Sequence, residues 1–207
     1  MPLIAPPAAV HAAQHTFRTL LNGMARPGAV YQLALAPDTT PEFAVCMTLL
    51  DFEVTYVSTT DETRAARHME ALDQRIALEI GCQQSSFAEA TFVVSYGALP
   101  AAAWPVLRRG TLAYPDRGAT IIYVVDAIGA ATRGDPSASL ALSGPGIESE
   151  RYLTVGGLAA SEFQRFAATN RDYPMGIDAI LLDPQGRVAC LPRSCTIIAR
   201  EPGDEGT

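Results

Sequence analysis

The chain has 207 residues, of which 48% are hydrophobic and only 18% are charged, and its formal net charge is −7 at pH 7. A negative balance of this size disfavours a general nucleic-acid-binding surface, because such surfaces neutralise phosphates with lysine and arginine. In ordinary globular domains about a quarter of the residues are charged. We therefore expect part of the surface to be covered by a partner protein.

The basic residues are all arginines, since the sequence contains no lysine. Enzymes that form Schiff bases, including those that use pyridoxal phosphate, hold their carbonyl carbon on a lysine amine. The composition therefore excludes that class. The four cysteines form no CxxC pair and have no clustered histidines, so we expect no metal site. Without a lysine to hold pyridoxal phosphate, we also expect no cofactor.

Targeting signals are also missing from the pattern. The first ten residues, MPLIAPPAAV, contain no basic residue ahead of their weakly apolar run, which argues against a secretory signal. No uncharged apolar run reaches the roughly 18 residues of a membrane span, because Asp126 interrupts the best candidate. We expect a soluble, cytoplasmic protein without a membrane partner.

The first half of the chain reads as alternating helices and strands. Apolar residues at helical spacing, caps and β-branched runs predict helices over 10–25, 41–51 and 60–72, and strands over 29–35, 53–58, 75–80 and 91–96. The second half predicts helices over 99–109 and 160–170, and strands over 119–125, 139–144, 179–183, 188–192 and 196–199.

This alternation is typical of a largely parallel sheet with helices on its faces. The last three strands are joined by short, turn-like segments, so we expect antiparallel hairpins at the C-terminal edge. The predicted fold is α/β, a three-layer α/β/α sandwich with a mixed sheet. Residues 1–200 are expected to form one domain, and residues 201–207 a disordered tail.

Residues 142–147, LSGPGI, could form either a phosphate-binding loop or a tight turn. A phosphate loop needs converging backbone N–H groups, but Pro145 removes one donor, and Glu148 and Glu150 add negative charge. Gly144 and Gly146 can supply the positive φ angles that turns require. The local chemistry favours a turn, although cations from a neighbouring chain could still make it a ligand site.

The first predicted helix carries a candidate anion-binding group. His15 and Arg18 share one face, and Arg26 follows the end of the helix. Arginine recognises carboxylate and phosphate bidentately. The alternative is an ordinary solvated helical face. His11 and His15 have the i, i+4 spacing of paired metal ligands, but a third ligand is missing from the pattern.

Asp178 and Arg193 lie at the ends of predicted C-terminal strands. Partly buried charges are usually paired, so the simplest interpretation is an ion pair between them. Ligand binding is the alternative for both. No Ser-His-Asp order, nucleophile elbow or P-loop is present, and the residues taken alone do not specify a reaction.

Six blocks of the sequence together resemble a known family. They are QHTFRTLLNGMARPG (14–28), TLLDFEVTY (48–56), RGTLAYPDRGAT (109–120), LSGPGIE (142–148), NRDYPMGIDAILL (170–182) and LPRS (191–194). In this order and spacing they resemble the PhnH subunit of the bacterial carbon–phosphorus lyase system, over about residues 14 to 198. The sequence departs from the family pattern at two places: Ser194-Cys195 replaces the usual Thr-Thr, and Gly23 stands where alanine is usual.

The resemblance implies a fold similar to that of pyridoxal-phosphate-dependent transferases, used without the cofactor. It also implies a homodimer that assembles with the PhnG, PhnI, PhnJ and PhnL subunits. By resemblance, the assembly transfers the ribose triphosphate of ATP to methylphosphonate and releases adenine. Such a reaction needs stabilisation of an oxocarbenium-like centre and neutralisation of a triphosphate, usually by metal or arginine.

A chain with a charge of −7 and no lysine is poorly equipped to neutralise a triphosphate by itself. We therefore expect a structural, supporting subunit that is not catalytic alone. The alternative is an autonomous enzyme that binds a nucleotide or phosphonate. In either case the candidate ligand-binding residues are His15, Arg18, Arg26, Asp178 and Arg193.

Overall fold

A computed structural model describes residues 7–61, 65–129 and 137–201. The described helices are α1 (Pro7–Ala25), α2 (Pro41–Leu49), α3 (Ala66–Arg75) and α4 (Ala160–Thr169). The shorter helical segments are a π-helical turn at Ile76–Ile80 and 3-10 turns at Trp104–Val106 and Pro115–Arg117. The strands are β1 (Tyr31–Gln32), β2 (Thr55–Thr60), β3 (Gln83–Gln84), β4 (Phe92–Tyr96), β5 (Thr120–Val124), β6 (Ala127–Ile128), β7 (Ser137–Ser143), β8 (Arg151–Gly156), β9 (Asp178–Leu182), β10 (Arg187–Leu191) and β11 (Thr196–Arg200).

The larger sheet has seven strands in the order β1-β10-β9-β5-β4-β2-β3. From β3 to β9 all neighbours are parallel, whereas β10 runs antiparallel to both β9 and β1. The predictions of an α/β protein and of a mixed sheet are therefore confirmed. The antiparallel pairing of β9 with β10 was also predicted, from the short DPQGR connection between them.

One face of this sheet is covered by the N-terminal helices. Leu20 of α1 and Phe43 of α2 belong to the same buried cluster as Val94, Ile122 and Ile180 of the sheet. The short helix α2 is buried on several sides, as its nearly all-round apolar sequence predicts. Its first turn is capped by the Thr40 hydroxyl, which accepts a hydrogen bond from the Phe43 backbone N–H.

The opposite face is covered by a second, four-stranded antiparallel sheet together with α4. The second sheet has the order β11-β7-β8-β6. Leu140 of β7, Leu153 of β8 and Phe163 of α4 share a buried cluster with Ile121 and Leu181 of the larger sheet. Strands β7 and β11 of this sheet were predicted, whereas β6, which has only two residues, and β8 were not. Their pairing into a separate sheet is long-range and was not predicted from the sequence.

Two predicted elements and one predicted strand pairing were wrong. The strand predicted over 75–80 is helical, and its apparent alternation places Leu78 in solvent at 87% exposure. The helix predicted over 99–109 forms turns and a single 3-10 turn, because Pro100 and Pro105 limit backbone hydrogen bonding. The last strand, β11, pairs with β7 of the second sheet and not with its sequence neighbour β10.

The predicted disordered tail, residues 201–207, lies outside the described residues except for Glu201. Glu201 Oε1 accepts a hydrogen bond of 3.1 Å from the backbone N–H of Ala160, at the start of α4. None of the helices in the described ranges is long and apolar enough to cross a bilayer.

Candidate functional site

The predicted residues Asp178 and Arg193 meet where the chain passes between the two sheets. Asp178 begins β9, and Arg193 follows β10 in the segment that crosses to β11. A cavity of about 330 Å³, here called the Arg193 cavity, opens beside this crossing. Its lining residues are Ala167, Asn170, Arg171, Tyr173, Arg193, Ser194, Cys195, Thr196 and Ile197.

This position is at the amino ends of the parallel strands β5 and β9, because Asp178 is the first residue of β9 and pairs with Thr120 at the start of β5. Open α/β sheets usually bind ligands at the carboxyl ends of their strands. The site therefore depends on the connections between the sheets rather than on the usual strand-end loops.

Arg193 and Asp178 form a partly buried ion pair, which confirms that interpretation of the sequence. Arg193 Nη2 lies 2.6 Å from Asp178 Oδ2, and Arg193 Nε lies 3.2 Å from both carboxylate oxygens. The backbone N–H of Arg193 donates to Asp178 Oδ1 at 2.8 Å. The same carboxylate thus fixes both the guanidinium and the main chain of the crossing segment.

The third nitrogen of this guanidinium binds a third segment of the chain. Arg193 Nη1 donates to the carbonyl oxygen of Pro115, in the 3-10 turn before β5. Gly118 makes the close approach possible: a Cβ there would collide with the carbonyl oxygen of Gly176 and lie 2.6 Å from Arg193 Nη1. Arg193 therefore mainly stabilises the packing of these three chain segments.

Asn170 shapes the wall of the cavity. Its side-chain amide donates to the carbonyl oxygen of Ile177 at 3.1 Å, and its Oδ1 accepts from the Ile177 backbone N–H at 2.8 Å. These two bonds close the loop between α4 and β9, which contains a cis peptide bond between Tyr173 and Pro174. Arg171 and Tyr173 of that loop are exposed and line the cavity.

The chemistry available in the Arg193 cavity is binding rather than acid–base catalysis. None of its lining residues is a carboxylate or an imidazole. Burial raises the pKa of the Cys195 thiol to about 11, so this group stays protonated at neutral pH and is a poor nucleophile. Arg171 has no ion-pair partner within the described ranges, which leaves it as the cation available to an anionic ligand.

The LSGPGI segment forms the β7–β8 connection, as the turn interpretation predicts. Gly144 and Gly146 have φ angles of 121° and 84°, and the Ile147 N–H donates to the Gly144 carbonyl at 3.1 Å. A Cβ at Gly146 would collide with the carbonyl oxygen of Ala25, and one at Gly144 would lie 3.1 Å from the Ser194 carbonyl oxygen. The turn is therefore packed between the end of α1 and the Arg193 segment.

Arg26 is tied to this hairpin through its backbone. The Arg151 guanidinium at the start of β8 donates to the carbonyl oxygens of Arg26 and Pro27, at 3.3 and 2.8 Å. The side chain of Arg26 is exposed, and its Nη1 lies 3.4 Å from Oδ1 of Asn22, in the last turn of α1. The predicted role of this side chain in anion binding stays a prediction.

His15 and Arg18 are exposed on α1. Arg18 and Arg26 are eight residues apart, which is about 12 Å along a helix axis. No hydrogen bond or ion pair among the described residues joins either His15 or Arg18 to Asp178 or Arg193. Asp178 and Arg193 therefore form an interior pair, whereas His15, Arg18 and Arg26 are exposed on or next to α1. The ligand-binding role of all five residues stays a prediction.

Sequence reasoning did not single out the polar residues that line the cavity beside Arg193. They are Asn170, Arg171, Tyr173 and Ser194. The available signal was their position within the NRDYPMGID and LPRS blocks, which are distant in sequence and adjacent in space.

Comparison with known proteins identifies the family. The family model of PhnH, described as bacterial phosphonate metabolism protein, matches residues 7–198. A protein of Stutzerimonas stutzeri named putative C-P lyase subunit protein HtxG is 30% identical over 184 residues, covering 89% of this chain and 85% of that protein. The alpha-D-ribose 1-methylphosphonate 5-triphosphate synthase subunit PhnH of Rhizobium meliloti (strain 1021) is 30% identical over 198 residues, covering 93% and 92% of the two chains.

Proposed function

The chain belongs to the PhnH family of bacterial phosphonate metabolism proteins, and we propose that it is a subunit of an assembly that transfers the ribose triphosphate of ATP to methylphosphonate and releases adenine. Two relatives that align with most of the chain bear names of subunits of carbon–phosphorus lyase or of the corresponding synthase. The chain would accordingly work in organic phosphonate breakdown.

Within the assembly, the chain has a supporting rather than a catalytic role. The observation that carries this proposal is the set of contacts made by Arg193. Its backbone N–H and its guanidinium donate to Asp178, and the guanidinium also donates to the Pro115 carbonyl, so this arginine mainly stabilises the fold. Displacement at the C1 carbon of ribose requires groups that stabilise a cationic centre and a triphosphate. A cavity with a protonated thiol and without carboxylate or imidazole supplies little of this.

The family resemblance extends this proposal to partners and architecture. The chain would form a homodimer, assemble with the PhnG, PhnI, PhnJ and PhnL subunits in the cytoplasm, and fold as one domain over residues 1–200. Exposed apolar side chains, among them Phe17, Leu21 and Leu112, support the expectation of protein contacts. The fold would be similar to that of pyridoxal-phosphate-dependent transferases, and the absence of lysine from the sequence supports its use without that cofactor.

The proposal is tested by growth on methylphosphonate as the sole phosphorus source. A strain that lacks this gene should fail to grow, and a plasmid copy of the intact chain should restore growth. Growth of the deletion strain at the parental rate would end the proposal. Copurification of the tagged chain with the other subunits from the complemented strain would separately test the assembly.

A further inference from the structure

A second and larger cavity lies on the other side of the C-terminal end of α4. Its volume is about 580 Å³, within the range of small-molecule sites in proteins. We call it the Trp104 cavity, and its lining residues are Ala101, Trp104, Pro105, Arg109, Arg165, Ala168 and Thr169. Neither its tryptophan nor its arginines belong to the Arg193 cavity or to the predicted ligand-binding residues.

Two guanidinium groups line this cavity on a chain whose net charge is negative. Arg165 projects from α4 and has no ion-pair partner among the residues that the structure describes. Arg109 pairs with Asp172 at 3.3 Å, but both side chains are well exposed, at 45% and 61%. An exposed pair of this kind contributes little to stability, so Arg109 can exchange Asp172 for a ligand anion at small cost.

The aromatic wall of the cavity contains an unsatisfied donor. Trp104 is buried, and its Nε1–H has no hydrogen-bond partner among the described residues. Buried polar groups are nearly always paired, and one without a partner calls for an explanation such as a missing water, ion or ligand. Trp104 also lines the cavity that holds the two arginines, so a ligand bound there would lie against its indole ring.

We propose that the Trp104 cavity binds the phosphoryl oxyanion of a phosphate or phosphonate compound. Arg109 and Arg165 bind the oxygens, because guanidinium groups match phosphate geometry with paired N–H donors. The indole of Trp104 and the methyl groups of Ala101 and Ala168 form an apolar wall for the rest of the ligand. The isolated chain binds without turnover, so the inference is independent of the proposed function.

The sequence provides a built-in reporter, since Trp104 is the only tryptophan of the chain. Its emission, excited selectively at the long-wavelength edge of the indole absorption, is followed while the intact chain is titrated with one probe at a time. The probes are ATP, tripolyphosphate, methylphosphonate and inorganic phosphate, and sodium acetate at matched ionic strength is the reference. Calorimetry of the same mixtures gives affinities without optical artefacts.

A saturable change in emission with at least one phosphoryl probe, and none with acetate, is the expected result. Binding of ATP and tripolyphosphate without methylphosphonate assigns the site to a polyphosphate, and binding of methylphosphonate alone assigns it to a phosphonate. Binding of ATP but not tripolyphosphate would show that the base, and not the oxyanion, is recognised, and would overturn the proposal. A flat signal with all probes at millimolar concentration would also overturn it.

Three variants locate the site. Arg165→Gln should weaken binding at least about tenfold, because a charge-assisted hydrogen bond is lost. Asp172→Asn should strengthen binding by a few fold, because it releases Arg109 from its carboxylate partner, and a merely structural role would not give this gain. Arg67→Gln, on the exposed surface of α3, is the matched control and should bind as the unmodified chain does.

Equal binding by the unmodified chain and Arg165→Gln would place any ligand elsewhere and refute the assignment. Thermal melts of all variants check that they are folded. A chain that binds no probe yet is still required for growth on methylphosphonate would overturn this inference and leave the proposed function standing. A chain that binds a phosphoryl probe but is not required for growth on methylphosphonate would support this inference and overturn the proposed function.

Discussion

Replacing Arg193 with alanine should destabilise the protein by about 3 kcal/mol. The change removes every guanidinium contact to Asp178 and the hydrogen bond to the Pro115 carbonyl. The Asp178 carboxylate keeps only the 2.8 Å hydrogen bond from the backbone N–H of residue 193. Breaking a buried pair by removing one partner costs about 3–5 kcal/mol, and the 22% exposure of the Asp178 side chain favours the lower end of this range.

For a chain of this size, about 3 kcal/mol corresponds to a fall in Tm of roughly 6–12 °C. Equilibrium unfolding in urea and thermal melts measure both quantities. The matched control is Arg109→Ala, because the Arg109–Asp172 pair is exposed and should be worth less than about 1 kcal/mol. Similar losses for the two variants would refute the idea that Arg193 fastens the interior, as would a lack of coupling between Arg193→Ala and Asp178→Asn in a double-mutant cycle.

Three further predictions concern the buried carboxyl group of Glu162, the β7–β8 turn and the buried thiol of Cys195. Burial raises the pKa of Glu162 above its ordinary value of 4.5, so the folded state holds its proton more tightly than the unfolded state; stability should fall as pH rises from 4.5 through the folded pKa. In Glu162→Gln that part of the pH dependence of urea unfolding should disappear, and an unchanged slope would contradict the assignment. Gly146→Ala should cost at least about 2 kcal/mol, because it adds a collision with the Ala25 carbonyl to the strain of a positive φ. Its control, Gly81→Ala, has a similar φ and open space, and should cost only about 1 kcal/mol in the same unfolding assay; equal losses would show that the close packing is unimportant. Finally, Cys195 should react with iodoacetamide at pH 7 far more slowly in the native than in the unfolded chain, as followed by peptide mass spectrometry, because its thiol has a pKa of about 11. Equal labelling in the two states would contradict this.

Elements with strong local signals could be predicted from the sequence. Helix α1 follows from the spacing of Phe17, Leu20 and Met24, and the central strands β4 and β5 follow from short apolar, β-branched runs. Residues 75–80 show where this reasoning fails. Their apolar residues alternate as in a strand, but the backbone is helical, so Ile76 is buried and Leu78 is exposed. Tertiary packing, which local periodicity does not record, decides such segments.

The second sheet shows a different limit of sequence reasoning. Strand β11 follows β10 after a short segment, which is typical of a hairpin, yet it pairs with β7 more than fifty residues earlier. The Pro192–Cys195 segment turns the chain away from the larger sheet, with the Cys195 N–H bonded to the Pro192 carbonyl. Long-range pairing of this kind depends on which apolar faces meet, and one sequence does not reveal that.

The ion pair of the candidate site could be predicted from the sequence, but the residues that line its cavity could not. Asp178 and Arg193 were recognised because opposite charges near strand ends are usually paired, and the ion pair is confirmed. The second wall of the Arg193 cavity comes from Arg171 and Tyr173, whose proximity depends on the loop that Asn170 closes. Residues brought together by such loops leave no periodic pattern in the sequence.

The central claim, that this chain supports an assembly rather than catalysing alone, is tested most directly by measuring adenine release from ATP and methylphosphonate. We expect the purified chain alone to release none, the complete set of subunits to release adenine, and the set without this chain to lose that activity. Adenine release by the isolated chain, or full activity in its absence, would contradict the claim.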